Sequence, residues 1–248
     1  MIGSLVFLNN WIIRTELTNA LDKVFIRNII TNEEEELIFT DEKVYDPSVS
    51  LRQKDRDTDE IYISYSTPKT QNRTYLYNIK TKEKKLVKEQ IIPSGHEPND
   101  YIVERLECPS HDGRVVPITI TRHKNTPIDG SAELLLYGYG SYGHSMSPTF
   151  SSTRLSLIKR NIIWATAHIR GGMERGMKWW KEGKLLNKKN TFKDYIACAK
   201  FLIEKKYTSK KKIIGMGGSA GGLLMGVVVN EEPDLFLGVI MAVPFVDS

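Results

Sequence analysis

The chain has 248 residues, 40% of them hydrophobic and 26% charged, which excludes an intrinsically disordered protein and allows one large domain or one and a half ordinary ones. Two cysteines, Cys108 and Cys198, are too few and too far apart for a disulfide framework or a metal-ligand cluster, so reduced thiols and no metal or cofactor are expected. The formal charge is +5, with acidic residues interspersed among the lysines, so a solvated basic face is expected rather than a nucleic-acid partner.

The N-terminus has no basic region, a short apolar stretch and no small-residue cleavage site. No run of about 18 apolar residues is present, so no membrane span is expected, and a cytoplasmic location follows by default. The first hundred residues read as short strands broken by polar turns, and they repeat at an offset of about 50. Trp11-Ile12-Ile13-Arg14-Thr15 aligns with Ile61-Tyr62-Ile63-Ser64-Tyr65, and Phe25-Ile26-Arg27-Asn28-Ile29 with Tyr75-Leu76-Tyr77-Asn78-Ile79. Each copy then has a turn and a final strand, Leu37-Ile38-Phe39 or Leu86-Val87. Such a period with several strands per unit predicts propeller blades, about two of them, with an antiparallel meander as the plainer alternative.

The segment 92–100 reads as a linker, with Pro93, Pro98 and turn formers between them. The expected domains are therefore 1–100, part of a β-propeller, and 101–248. A hairpin follows, 102–108 and 115–121 about the turn His111-Asp112-Gly113. Beyond it strands and helices alternate. Strands are expected at 134–137, 162–167, 212–216 and 237–243, and helices at 151–160, 191–206 and 220–229. The 191–206 helix carries Phe192, Ile196, Ala199 and Ile203 on one face. Alternation with apolar strands predicts a parallel α/β sheet.

Within 213–225, strand, sharp turn and helix surround Gly217-Gly218-Ser219-Ala220-Gly221. This Gly-x-Ser-x-Gly spacing is that of a nucleophile elbow: the serine occupies a strained turn, and glycines two before and two after let strand and helix pass closely. The hydroxyl then stands at a helix N-terminus, where the Ala220 N–H is one donor to a developing oxyanion. Two rival readings remain open on these residues. Gly215-x-Gly217-x-x-Ala220 also satisfies a relaxed dinucleotide fingerprint, although the acidic residue it wants, Asp247, comes late. A glycine-rich helix start without chemistry is the other. The loops 137–143 and 168–172 follow strands and are expected at the same carboxyl edge as Ser219.

Taken together, Tyr137-Gly138-Tyr139-Gly140-Ser141-Tyr142-Gly143, Ile169-Arg170-Gly171-Gly172, Asn190-Thr191-Phe192-Lys193-Asp194-Tyr195 and Met216-Gly217-Gly218-Ser219-Ala220-Gly221-Gly222 resemble the prolyl oligopeptidase family (serine peptidases S9), in its oligopeptidase B (protease II) branch. The resemblance implies an α/β-hydrolase fold, C-terminally incomplete, preceded by part of a β-propeller. It implies a serine-type endopeptidase that hydrolyses short peptides, after Lys or Arg, with Ser219 as nucleophile, the Tyr139 hydroxyl and Ala220 N–H as the oxyanion hole, and Tyr142 lining the substrate pocket. Arg170 would hold a loop or touch substrate.

In this fold the triad runs serine, acid, histidine along the chain. All five histidines precede Ser219, and the resemblance puts the triad acid well beyond Ser248. His144 and His168 read as ordinary loop histidines. The chain is therefore expected to be inactive by itself, to need a complementary C-terminal fragment, and, with 237–243 as an apolar sheet edge, to be poorly soluble alone. A non-catalytic remnant or binding module and a nucleotide-binding α/β protein are the alternative functions.

Overall fold

A computed structural model describes residues 2–52 and 56–245. Asp247, the acidic residue wanted by the nucleotide reading, lies outside the described residues. The chain divides into two compact units, Met1–His96 with Ser147–Ser151, and Glu97–Met146 with Ser152–Ser248.

The first unit holds two antiparallel four-stranded sheets, with neighbours in chain order. One comprises β1 (Ile2–Phe7), β2 (Trp11–Thr18), β3 (Leu21–Asn28) and β4 (Glu34–Glu36). The other comprises β5 (Asp46–Leu51), β6 (Glu60–Ser66), β7 (Arg73–Asn78) and β8 (Lys84–Glu89). The repeat seen in the sequence is reproduced atom by atom at the β3–β4 and β7–β8 turns. Asn28 Oδ1 accepts from the N–H groups of Ile30 and Thr31, and Asn78 Oδ1 from those of Lys80 and Thr81. The fourth turn residue is left-handed in both copies, Asn32 at φ 60° and Lys82 at φ 62°, which is why asparagine and a flexible lysine stand there rather than a β-branched residue.

Each copy has four strands, not the three expected. The additional members are β1 and β5, and Asp46-Pro47-Ser48 at the start of β5 reads locally as a turn. Leu37 and Phe39 are buried just past β4 rather than forming its strand. Alternation puts Ile13, Val24 and Ile26 of one sheet and Ile61, Ile63 and Tyr77 of the other into one core cluster.

The second unit is built on one six-stranded sheet. Its strands are β9 (Tyr101–Pro109), β10 (Val115–His123), β11 (Leu134–Tyr137), β12 (Ile163–Ala167), β13 (Ile213–Gly218) and β14 (Phe236–Ala242). Their spatial order is β14-β13-β11-β12-β10-β9. The last four in chain order are mutually parallel. The sheet as a whole is mixed rather than parallel, because the β9–β10 hairpin joins it through the antiparallel β10–β12 pair.

Helices α1 (Ser152–Ile158), α2 (Met177–Lys181), α3 (Lys189–Glu204) and α4 (Ala220–Glu231) complete the unit. The buried face of α3 is broader than the predicted stripe: Tyr195, Cys198 and Leu202 join Phe192, Ile196 and Ala199, while Ile203 is only partly covered. Cys108 and Cys198 are free, fully buried and neighbours in this core, where burial pushes the Cys198 thiol well up. Among the described residues no helix is long and apolar enough to cross a membrane. β14 lies at a sheet edge and exposes Leu237, Ile240 and Met241.

Candidate active site

Parallel strands β11, β12 and β13 end on the same side, so the loops that follow them converge at one carboxyl edge. The loop after β13 is a single residue. Ser219 has φ 54° and ψ −118°, a region that costs any side chain-bearing residue about 1–3 kcal/mol. It is exposed, and its hydroxyl caps nothing in the helix that follows. The turn is held by backbone bonds instead: Ser219 N–H donates to Ala242 O (2.9 Å), and Ser219 O accepts from Gly222 N–H (2.8 Å) and Phe245 N–H (2.9 Å).

The need for glycine at the flanks is measurable. A Cβ on Gly217 would lie 2.2 Å from the Gly221 carbonyl oxygen, and one on Gly221 would lie 3.0 Å from the Gly138 carbonyl oxygen. Strand and helix therefore cross at backbone contact. Gly215, the first glycine of the dinucleotide fingerprint, lies inside β13 against Met225, Val239 and Tyr195. It makes no turn, which removes the geometric basis of that reading.

Strain at Ser219 gives a test. Ser219→Gly should stabilise the chain by about 1 kcal/mol, since only glycine occupies this region freely. The readout is the urea midpoint, and a midpoint unchanged or lowered would mean that the turn is not strained.

Ala220 opens α4, so its N–H is one of the first-turn donors without an intrahelical acceptor. The β11 loop lies alongside. Tyr139 is partly buried; its Cα and Cδ2 stand about 3.5 Å from where a Gly221 Cβ would be. Its ring meets the exposed His144 edge-on at 5.5 Å. The loop is packed from beneath by glycine contacts, with Gly171 (φ 99°) so close that a Cβ there would overlap the Gly140 carbonyl. Tyr142 is left-handed (φ 55°) and 76% exposed, beside a cavity of about 380 Å3 that Ala220 and Leu223 also line.

His168 follows β12 directly, as a loop residue, but it is buried rather than open at the edge. It is 1% exposed, with Nε2 2.9 Å from Arg105 Nη1 and 2.8 Å from Thr119 Oγ1, and burial holds its imidazole below the usual histidine range. Arg170 is equally buried and holds its loop. It donates through Nε and Nη2 to Asp194 (2.8 and 2.6 Å) and through Nη1 and Nη2 to Asp112 (2.6 and 3.2 Å). Asp194 also accepts from the Arg170 backbone N–H (3.1 Å) and the Ser110 hydroxyl (2.6 Å). Burial alone would depress the Arg170 pKa, but its two carboxylate partners outweigh that and raise it.

Sequence reasoning missed Lys188. Its ammonium donates to Gly140 O (2.6 Å) and Ser141 Oγ (2.7 Å), and burial brings its pKa down to about 8. A lysine among lysines carries no local signal of such a place. Among the described residues no group of three or more histidine, cysteine or acidic side chains is arranged to hold a metal ion.

Residues 148–248 match the profile of the prolyl oligopeptidase family, peptidase S9. The chain is 41% identical to the dipeptidyl aminopeptidase BI of Pseudoxanthomonas mexicana over 94% of its own length and 32% of that protein's. It is 38% identical to protease 2 of Moraxella lacunata, over 92% of this chain and 33% of that one. The structure of oligopeptidase B from Trypanosoma brucei with covalently bound antipain superposes with a TM-score of 0.90 at 34% identity, covering 99% of this chain and 36% of that one. The chain thus spans about a third of the length of these relatives. From the strained serine outward to the propped glycine loops, the chain is similar in sequence and fold over nearly all 248 residues to serine peptidases of the prolyl oligopeptidase family, and residues 148–248 match that family's profile.

Proposed function

We propose that this chain is the part of an oligopeptidase B-like serine endopeptidase that carries the nucleophile and the oxyanion donors. Ser219 attacks the scissile carbonyl to form an acyl-enzyme. The Ala220 N–H and the Tyr139 hydroxyl receive the oxyanion; a phenol suits this because it offers a strong donor from a rigid ring. Tyr142 lines the substrate pocket. Substrates are short peptides cut after Lys or Arg, a preference suggested by the likeness to protease 2 and oligopeptidase B. The observation that supports the reading most is the exposed, left-handed Ser219 between two glycines that tolerate no Cβ or almost none.

In the same reading the 1–100 region contributes two propeller blades and 101–248 the first part of an α/β-hydrolase domain. The reading assigns the acid and base that activate Ser219 to a complementary C-terminal segment, because the triad order of this fold places both after the serine and no histidine follows Ser219 in this sequence. Without them, turnover falls by about a million-fold. The protein works in the cytoplasm, consistent with its free, buried thiols.

Fluorophosphonate labelling tests the nucleophile, with free imidazole added in place of the missing base. Imidazole should accelerate labelling of the folded chain, mapped by peptide mass to Ser219 and abolished in Ser219→Ala. Label spread over several serines, or insensitive to unfolding, would refute the assignment.

A further inference from the structure

The cavity beside Ala220, which Tyr142 also lines, carries two lysines that the peptidase reading does not use. Its walls are apolar, formed by Tyr142, Trp180, Leu223 and Phe245, and among the described residues the only charged side chains lining it are Lys184 and Lys188. Neither lysine pairs with a carboxylate among the described residues. Lys184 instead places its Nζ 3.4 Å from the centre of the Trp180 ring. Lys188 spends two of its three N–H donors on Gly140 O and Ser141 Oγ, which fixes the amine while leaving one donor unspent.

Burying an ammonium without a counter-charge is costly, and the lowered Lys188 pKa reflects that cost. Two cations at the wall of an apolar cavity therefore fit a ligand that brings its own negative charge. A basic side chain would meet repulsion here and gain no partner.

We propose that this cavity is a subsite for a peptide carboxylate, in which an apolar side chain fills the space between Trp180 and Phe245 while the carboxylate meets Lys188 and Lys184. As a subsite for substrate it rests on Ser219 being the nucleophile, since Ala220 lines it; as a carboxylate site it stands separately. The carboxylate could be a free C-terminus or an Asp or Glu side chain, which share the chemistry. Basic residues of a substrate are received elsewhere.

Isothermal titration of the full chain with four short peptides separates these cases: N-acetyl-Ala-Phe as acid and as amide, N-acetyl-Asp-Phe amide and N-acetyl-Lys-Phe amide. The proposal expects one or both carboxylate peptides to bind about tenfold more tightly than the neutral amide, the worth of one charge-assisted hydrogen bond. The lysine peptide should bind most weakly. If the free acid alone is favoured, the subsite reads a terminus; if the Asp peptide is favoured, it reads a side chain.

Lys188→Met and Lys184→Met should each erode the preference, and Lys188→Arg should retain part of it. Equal binding of all four peptides, no binding of any, or a preference unchanged in both Met variants would overturn the proposal. Imidazole-assisted labelling of Ser219 with no carboxylate preference defeats the subsite alone. A carboxylate preference with no labelling leaves the subsite and defeats the nucleophile.

Discussion

Gly217→Ala is expected to destabilise the larger unit by about 3 kcal/mol or more, at the upper end of what an inserted methyl costs in a packed interior. The reason is the identity of what the methyl would strike. Its nearest neighbour, at 2.2 Å, is the Gly221 carbonyl oxygen, with Gly138 O at 3.1 Å beyond it. Neither is the end of a side chain that could swing aside. Relief requires α4 to move off β13, and that movement would carry the Ala220 N–H and the Ser219 hydroxyl with it. For a chain of this size, about 3 kcal/mol corresponds to a fall of roughly 6–12 °C in melting temperature.

Two neighbouring glycines supply the controls. A Cβ on Gly218 would meet Ala242 O at an ordinary 3.4 Å, and one on Gly226 would meet nothing within 4 Å. Gly218→Ala should therefore be mild. Gly226→Ala, in the middle of α4, should stabilise by up to about 1 kcal/mol through helix propensity. Circular-dichroism melts of the three variants rank the effect. A Gly217→Ala melt that matches Gly218→Ala would show that strand and helix do not cross at backbone contact.

The sharp turn at Ser219 was legible because its sterics demand glycine at fixed offsets. Gly217, Ser219 and Gly221 lie within five consecutive residues, so the signal is local. The repeat in the first unit was legible for a similar reason: Asn28 and Asn78 each close a turn with their own side chain, and an identical local solution leaves an identical trace. The mixed character of the large sheet was not legible. The β9–β10 hairpin has a clear pattern of its own, but nothing in it tells which strand β10 pairs with, and β12 lies some forty residues on. The outer strands β1 and β5 also escaped, since the period-50 alignment rests on the inner strands. Arg170 stood in a recognisable motif, yet its partners are 24 and 58 residues away, so its role as a brace had to come from the structure.

That brace gives the second large effect. Asp194→Leu is expected to cost about 3–5 kcal/mol, because it strips a fully buried carboxylate from a fully buried guanidinium. Four bonds end on the two oxygens of Asp194, three of them from Arg170 and one from Ser110. Asp112 would still hold the far side of the guanidinium, but its side chain is 36% exposed and it cannot shield the charge from the core.

The pair does more than neutralise itself. The loop it fixes carries Gly171, which sits under Gly140 and so supports the segment bearing Tyr139. The double variant Arg170→Met/Asp194→Leu removes both charges together and should be less destabilising than Asp194→Leu, because no uncompensated ion remains buried. A double-mutant cycle by urea denaturation measures this. If the two single costs simply add in the double variant, Arg170 and Asp194 are not coupled, and the support of the Tyr139 loop must be sought in the glycine contacts alone.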